Sequence, residues 1–128
     1  MTGSMLDPSV HARLAAILPG ESLLTQAEAT RPYECDGLSA YRTQPAAVAL
    51  PENEEQVAAL LRVCHACHVP VVARGAGTSL SGGAMPHERG IVLSMAKFNR
   101  ILDVDPVSRT AIVQPGVRNA AISEAAAP

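Results

Sequence analysis

Residues 71–83 read VVARGAGTSLSGG: a short apolar run, then four glycines (Gly75, Gly77, Gly82, Gly83) interleaved with Thr78, Ser79 and Ser81. No other stretch constrains the fold as strongly. The mostly β-branched residues 69–73 predict a buried strand. Glycine admits positive φ and lets the backbone approach a ligand closely. Successive backbone N–H groups in such a loop form an anion-binding concavity, and hydroxyl side chains add donors. The anion that suits it is a phosphate or pyrophosphate. Two familiar phosphate loops do not fit. A P-loop ends in Gly-Lys-Ser/Thr, whereas this one ends Gly82-Gly83-Ala84. The doubly wound dinucleotide fingerprint needs glycine where Leu80 stands and a helix next. Here Pro86 and Gly90 intervene before another apolar run at 91–94. The pattern is strand, loop, strand. Taken alone, the loop also admits a bland reading as a glycine-rich surface turn.

The rest of the chain supplies the frame. Asp7 caps a first helix with Pro8 at its first position, and Val10, Leu14, Ile17 and Leu18 form its apolar stripe. Pro19-Gly20 ends it. Residues 20–45 read as an irregular surface crossing broken by Pro32, Gly37 and Pro45, with one short helix near Leu23. Residues 46–50 (AAVAL) predict a buried strand stopped by Pro51. Asn53 caps the next helix, with Gln56 in capping-box register and Glu54 and Glu55 favouring the helix dipole. Val57, Leu60, Leu61 and Cys64 follow helical spacing until the helix ends near His68, before Pro70. Residues 91–94 predict a third strand. Residues 101–104 and 111–114 predict an antiparallel hairpin around Asp105-Pro106. Pro115-Gly116 breaks the chain again, and 117–127 reads as a helix. The expected class is α+β: a small parallel or mixed sheet with flanking helices, whose first unit is a right-handed parallel crossover. Its 128 residues allow one domain at most. Residues 1–30 read as an N-terminal helical segment, of which residues 1–4 are either an expression remnant or a frayed end, and residues 31–128 carry the loop.

Composition removes several functions. Tyr33, Tyr41 and Phe98 are the whole aromatic set, so stacking platforms for single-stranded nucleic acid are nearly absent. A net charge of −2 also disfavours a nucleic-acid binder. Lys97, Arg100 and Arg109 are scattered and make no basic patch. No apolar run approaches the ~20 residues that span a bilayer. The start of the chain lacks the basic and apolar regions of a secretory signal. Cys35, Cys64 and Cys67 then suggest reduced thiols in the cytoplasm. Cys64-His65-Ala66-Cys67-His68 spells the c-type haem attachment pattern. It ends an amphipathic helix, however, so core or boundary cysteines are expected and no metal ligand is assigned. His11 and His87 read as solvated, and Glu52, Glu54 and Glu55 as helix-start charges rather than paired acids.

Three separated motifs, in order, resemble a known family: residues 45–57 (PAAVALPENEEQV), 69–83 (VPVVARGAGTSLSGG) and 90–116 (GIVLSMAKFNRILDVDPVSRTAIVQPG). Tyr33-Glu34-Cys35-Asp36-Gly37 also fits the same family's tyrosine-to-aspartate approach. The sequence resembles the p-cresol methylhydroxylase (PCMH)-type FAD-binding domain of the vanillyl-alcohol oxidase superfamily. Within it, the branch of glycolate oxidase flavin subunits and FAD-linked D-lactate dehydrogenases is most similar. The resemblance implies an FAD-linked oxidoreductase that oxidises an alpha-hydroxy acid by hydride transfer to flavin. It implies that Gly75, Ala76, Gly77, Thr78 and Ser79 wrap the FAD pyrophosphate, and that Gly82 and Gly83 close the loop. Arg74 either reaches a phosphate or serves as a packing arginine. Some relatives attach FAD through a histidine where Thr78 stands, so non-covalent FAD is implied. The implied partners are FAD, a small 2-hydroxy acid and other oxidase subunits, through which a cytoplasmic protein reaches the membrane. The family's chain continues past residue 128 with its substrate domain and catalytic groups. No catalytic residue is assigned, and the 128 residues alone are expected to be an inactive, truncated first subdomain. Two other readings stand beside this one: a phosphate- or nucleotide-binding module without flavin chemistry, and an inactive subunit acting as an interaction protein.

Overall fold

The computed structural model describes residues 5–127; residues 1–4, read above as an expression remnant or a frayed end, lie outside them. Helix α1 spans Pro8–Ala15, and hydrogen-bonded turns carry it on to Leu18. Asp7 caps it by accepting a bond from the Ser9 N–H at 2.8 Å. Hydrogen bonds from Ser9 hold the Asp7 carboxyl below its ordinary pKa. Helix α3, Glu54–Ala66, starts at Asn53, whose side chain accepts from Gln56 N at 2.9 Å. The return bond is shifted by one residue from the expected box: Gln56 Oε1 accepts from Glu52 N at 2.8 Å. At its far end His68 takes φ +52, the left-handed position that closes many helices.

Four strands form the main sheet in the order β1-β2-β4-β3: β1 Leu23–Leu24, β2 Ala47–Ala49, β3 Val71–Arg74 and β4 Ile91–Ser94. β2, β4 and β3 run parallel, and β1 is antiparallel to β2. A strand with neighbours on both sides and both faces covered reads as a continuous apolar run. β4 (IVLS) is that strand, and all four of its residues are buried. The α3 crossover joins two parallel strands as expected, but β4 inserts between them. A second sheet is the antiparallel hairpin of β5 Ile101–Asp105 and β6 Thr110–Val113. Helix α4, Asn119–Ala125, follows it.

The core lies between the sheet and the α1–α3 layer. Val10, Leu14 and Leu18 meet Leu60, Val63 and Cys64 over Ala47, Ala49, Ile91 and Leu93. Alanines in β2 leave room for the two helices to approach. Side chains alternate along a strand, so Val48 and Val92 point to the other face, where they too are fully buried. Leu14 and Leu60 are fully buried, and truncating either to alanine costs about 2–5 kcal/mol.

Short helical turns flank Leu23 as expected, but Leu23 itself lies in an unexpected strand, β1, paired with Ala49. The short helix of this region is α2, Ala27–Thr30, between 3-10 turns at Gly20–Ser22 and Arg31–Tyr33. Two residues carry no periodicity; the open edge of β2, not local preference, makes this strand. Among the described residues, no helix is long and apolar enough to cross a membrane.

Candidate functional site

The glycine loop leaves β3 after Arg74 and returns at Ile91. Adjacent parallel strands usually need a helical crossover between them. Here an irregular segment does the joining, and no regular helix runs through residues 75–90. Long structureless connections in compact domains are usually functional. This one stands at the carboxyl ends of the parallel strands, where open parallel sheets place their ligands.

Gly77 (φ +71) and Gly82 (φ +77) take left-handed backbone conformations that side chains disfavour. A Cβ at Gly77 would collide with the Arg74 guanidinium, which lies beneath the loop. Arg74 Nη1 donates to the Cys35 carbonyl at 2.7 Å, and its guanidinium lies 5.3 Å from the centre of the Tyr33 ring. Gly37 N donates to the Ser79 carbonyl at 2.8 Å. A Cβ at Gly37 would sit 2.7 Å from the Thr78 carbonyl oxygen. Residues 33–37 are therefore a strap packed against the loop.

Between the start of the loop and the segments at 96–99 and 115–121 is a cleft of about 760 Å³. Gly75 and Ala76 form one wall; Ala96, Asn99, Gly116 and Arg118 contribute to the other. The far wall is tied to the end of β4, because Gly116 N donates to the Phe98 carbonyl at 2.7 Å. A Cβ at Gly116 would meet the Met95 and Phe98 carbonyl oxygens. Among the described residues, the N–H groups of Ala76, Gly77, Thr78 and Ser79 donate to no protein acceptor.

These features test whether a pyrophosphate fits. A Cβ at Gly75 would meet nothing within 4 Å. Internal packing therefore does not require glycine there, and the space left open adjoins the cleft. Unspent N–H donors beside that space are what a phosphate needs, and the cleft has the size of a small-molecule site. The fit is good. Of the sequence-predicted residues, Gly75 and Ala76 line the cleft, and Gly77, Thr78 and Ser79 follow with unspent N–H groups. Gly82 and Gly83 lie further along, in a turn where Gly82 O accepts from Met85 N at 3.1 Å. Arg74 is engaged by the strap. Asn99 and Arg118 were not singled out from the sequence; each follows a strand end near a chain break, which was the available signal.

Outside the cleft, Lys97 Nζ donates to Ser22 Oγ at 2.7 Å and Glu52 Oε1 at 2.8 Å. Ser22 is fully buried, so this contact is a structural tie. Cys64 is a core residue, and burial, then the neighbouring Cys67, pushes its thiol up to about 11. Cys67 Sγ accepts from Arg13 Nη1 at 3.1 Å.

Residues 45–128 match the family described as the FAD binding domain. Over 120 residues, 94% of this chain and 24% of the relative, the sequence is 60% identical to glycolate oxidase subunit GlcD of Escherichia coli K12. It is 46% identical to a D-lactate dehydrogenase of Archaeoglobus fulgidus over 79 residues, 62% of this chain and 18% of the relative. The chain thus spans about a quarter or less of the length of these relatives. A solved structure of p-cresol methylhydroxylase with substrate bound superposes with a TM-score of 0.81 over 94% of this chain and 25% of that one, at 23% identity. That likeness speaks to the fold, which is the PCMH-type α+β fold anticipated from the motifs. The loop geometry, the cleft and these matches agree: the chain belongs to the FAD-binding-domain family, and its cofactor is FAD.

Proposed function

We propose that this chain holds the pyrophosphate of FAD in an oxidoreductase that oxidises a small 2-hydroxy acid of the glycolate or D-lactate kind. The observation that carries the reading is the 60% identity to a glycolate oxidase subunit along nearly the whole chain. When bound, FAD accepts a hydride equivalent from the hydroxyl-bearing carbon of the substrate. The chain's own residues bind and orient. The N–H groups of Ala76, Gly77, Thr78 and Ser79 donate to the pyrophosphate, and bonds to a charged acceptor contribute about 1.5–3 kcal/mol each. Gly75 leaves space for the ligand, Gly82 and Gly83 close the loop, and Arg74 holds its start through Cys35 and Tyr33. Thr78 offers no ring nitrogen for a covalent link, so FAD is held non-covalently. No catalytic residue is assigned within this stretch.

In this reading residues 31–128 are the front of the FAD-binding domain, and the segment that leads to residue 30 packs α1 into its core and adds β1 to its sheet. Three free cysteines favour a cytoplasmic setting. The relative's designation as a subunit favours further oxidase subunits as partners. Neither the flavin-free nucleotide module nor the interaction protein gains an observation of its own. Anaerobic mixing of the purified complete flavoprotein with glycolate or D-lactate tests the proposal. Bleaching of the flavin band by either acid supports it, and a protein that carries no flavin overturns it.

A further inference from the structure

Asp36, in the strap, has only 5% of its surface exposed. Its Oδ1 accepts from Leu38 N at 2.9 Å, but its Oδ2 is buried and has no hydrogen-bond partner. A carboxylate has about four acceptor positions, and a buried acceptor without a donor costs free energy. Such groups in native proteins call for an explanation. The residues on either side of Asp36 are both bonded to the loop region: Cys35 O accepts from Arg74, and Gly37 N donates to Ser79 O. Gly37 also fits flush against the Thr78 and Ser79 carbonyls. Thr78 and Ser79 carry hydroxyl groups that donate to nothing among the described residues; Ser79 Oγ only accepts a long 3.4 Å bond from Ser81 N.

We propose that Asp36 is a positioning residue for the cofactor loop, with its free carboxylate oxygen accepting the Thr78 or Ser79 hydroxyl when the loop holds FAD. The inference rests on the pyrophosphate assignment above. With the backbone N–H groups bonded to the pyrophosphate, a Thr78 or Ser79 hydroxyl is left to donate to the orphaned Asp36 oxygen. Asp36 never touches FAD; it acts by fixing the loop that does.

The test compares wild type with Asp36→Asn in the complete flavoprotein, reading two quantities: FAD affinity and the melting temperature of the apoprotein. The substitution keeps an oxygen for the Leu38 bond but removes the charged acceptor. FAD affinity is expected to fall roughly tenfold or more, the worth of a hydrogen bond to a charged group. The apoprotein is expected to melt at the same temperature or higher, because an unsatisfied buried charge has gone. A merely structural residue would lower stability and leave the affinity of the folded protein unchanged. Affinity within twofold of wild type overturns the inference while leaving the pyrophosphate site standing. A wild type that takes up no FAD overturns both. Should Asp36→Asn fail to fold, amide exchange in the wild type decides. FAD must slow exchange at Gly37 and Leu38, and unchanged exchange there overturns the role.

Discussion

Gly75→Val separates a glycine kept for the ligand from one kept for the fold. At Gly75 a Cβ meets nothing within 4 Å, and the space adjoins the cleft. The apoprotein should therefore tolerate valine. Replacing glycine at an unstrained position even tends to stabilise, by about 0.4–1 kcal/mol, through a less mobile unfolded chain. The valine methyl groups then occupy space meant for the pyrophosphate. Carbon atoms keep about 3.5–4 Å apart, and an N–H···O bond stretched past about 3.5 Å is no longer one. Losing two bonds to a charged acceptor removes about 3–6 kcal/mol, or roughly two to four decades of affinity. Flavin content of the purified complete protein, FAD titration of the apoprotein and apo melting temperature form the assay. Gly77→Val is the contrasting variant: its φ is +71 and its Cβ collides with Arg74. It should lose about 1–3 kcal/mol of stability as well as the flavin. Unchanged FAD affinity in Gly75→Val would refute the pyrophosphate assignment. Loss of folding in Gly75→Val would refute the claim that the glycine serves the ligand.

Two further outcomes follow from the strap and the core. Gly37→Ala drives a Cβ into the Thr78 and Ser79 carbonyls, at 2.7 and 2.9 Å; stability should fall by about 1–3 kcal/mol, with FAD affinity falling too, and an unchanged melting temperature and Kd would contradict the strap. Burial raises the Cys64 thiol from its ordinary 9.0 to about 11. The stabilisation this thiol provides is thus complete below pH 9 and lost as pH rises toward 11. Denaturant titrations across that window should show the wild type losing stability faster than Cys64→Ala, and parallel curves would contradict the burial argument.

Legibility in the sequence followed the range of the interactions involved. The loop was legible because its glycines, hydroxyl residues and preceding β-branched run are contiguous. Asn53 and the apolar spacing through Cys64 likewise announced α3 and placed Cys64 in the core, despite the haem-like spelling around it. Resemblance marked residues 33–37 as a family motif, but their place as a strap was not legible, since the Gly37–Ser79 bond joins residues far apart in the chain. From the sequence Arg74 is a phosphate contact or a packing residue, and only the fold brings it to Cys35 and Tyr33. The insertion of β4 between β2 and β3 is invisible in chain order, and β1 exists because β2 has an edge to pair. Asn99 and Arg118 reach the cleft because Gly116 ties the hairpin to the turn after β4. Local pattern cannot report such a contact.

A crystal structure of the flavin-loaded protein that resolves the pyrophosphate tests the role of the glycine loop most directly. Phosphate oxygens should lie within hydrogen-bond distance, about 2.7–3.2 Å, of N–H groups among Ala76, Gly77, Thr78 and Ser79, with the ligand passing over Gly75. A pyrophosphate held elsewhere, with those N–H groups turned to solvent, would contradict it.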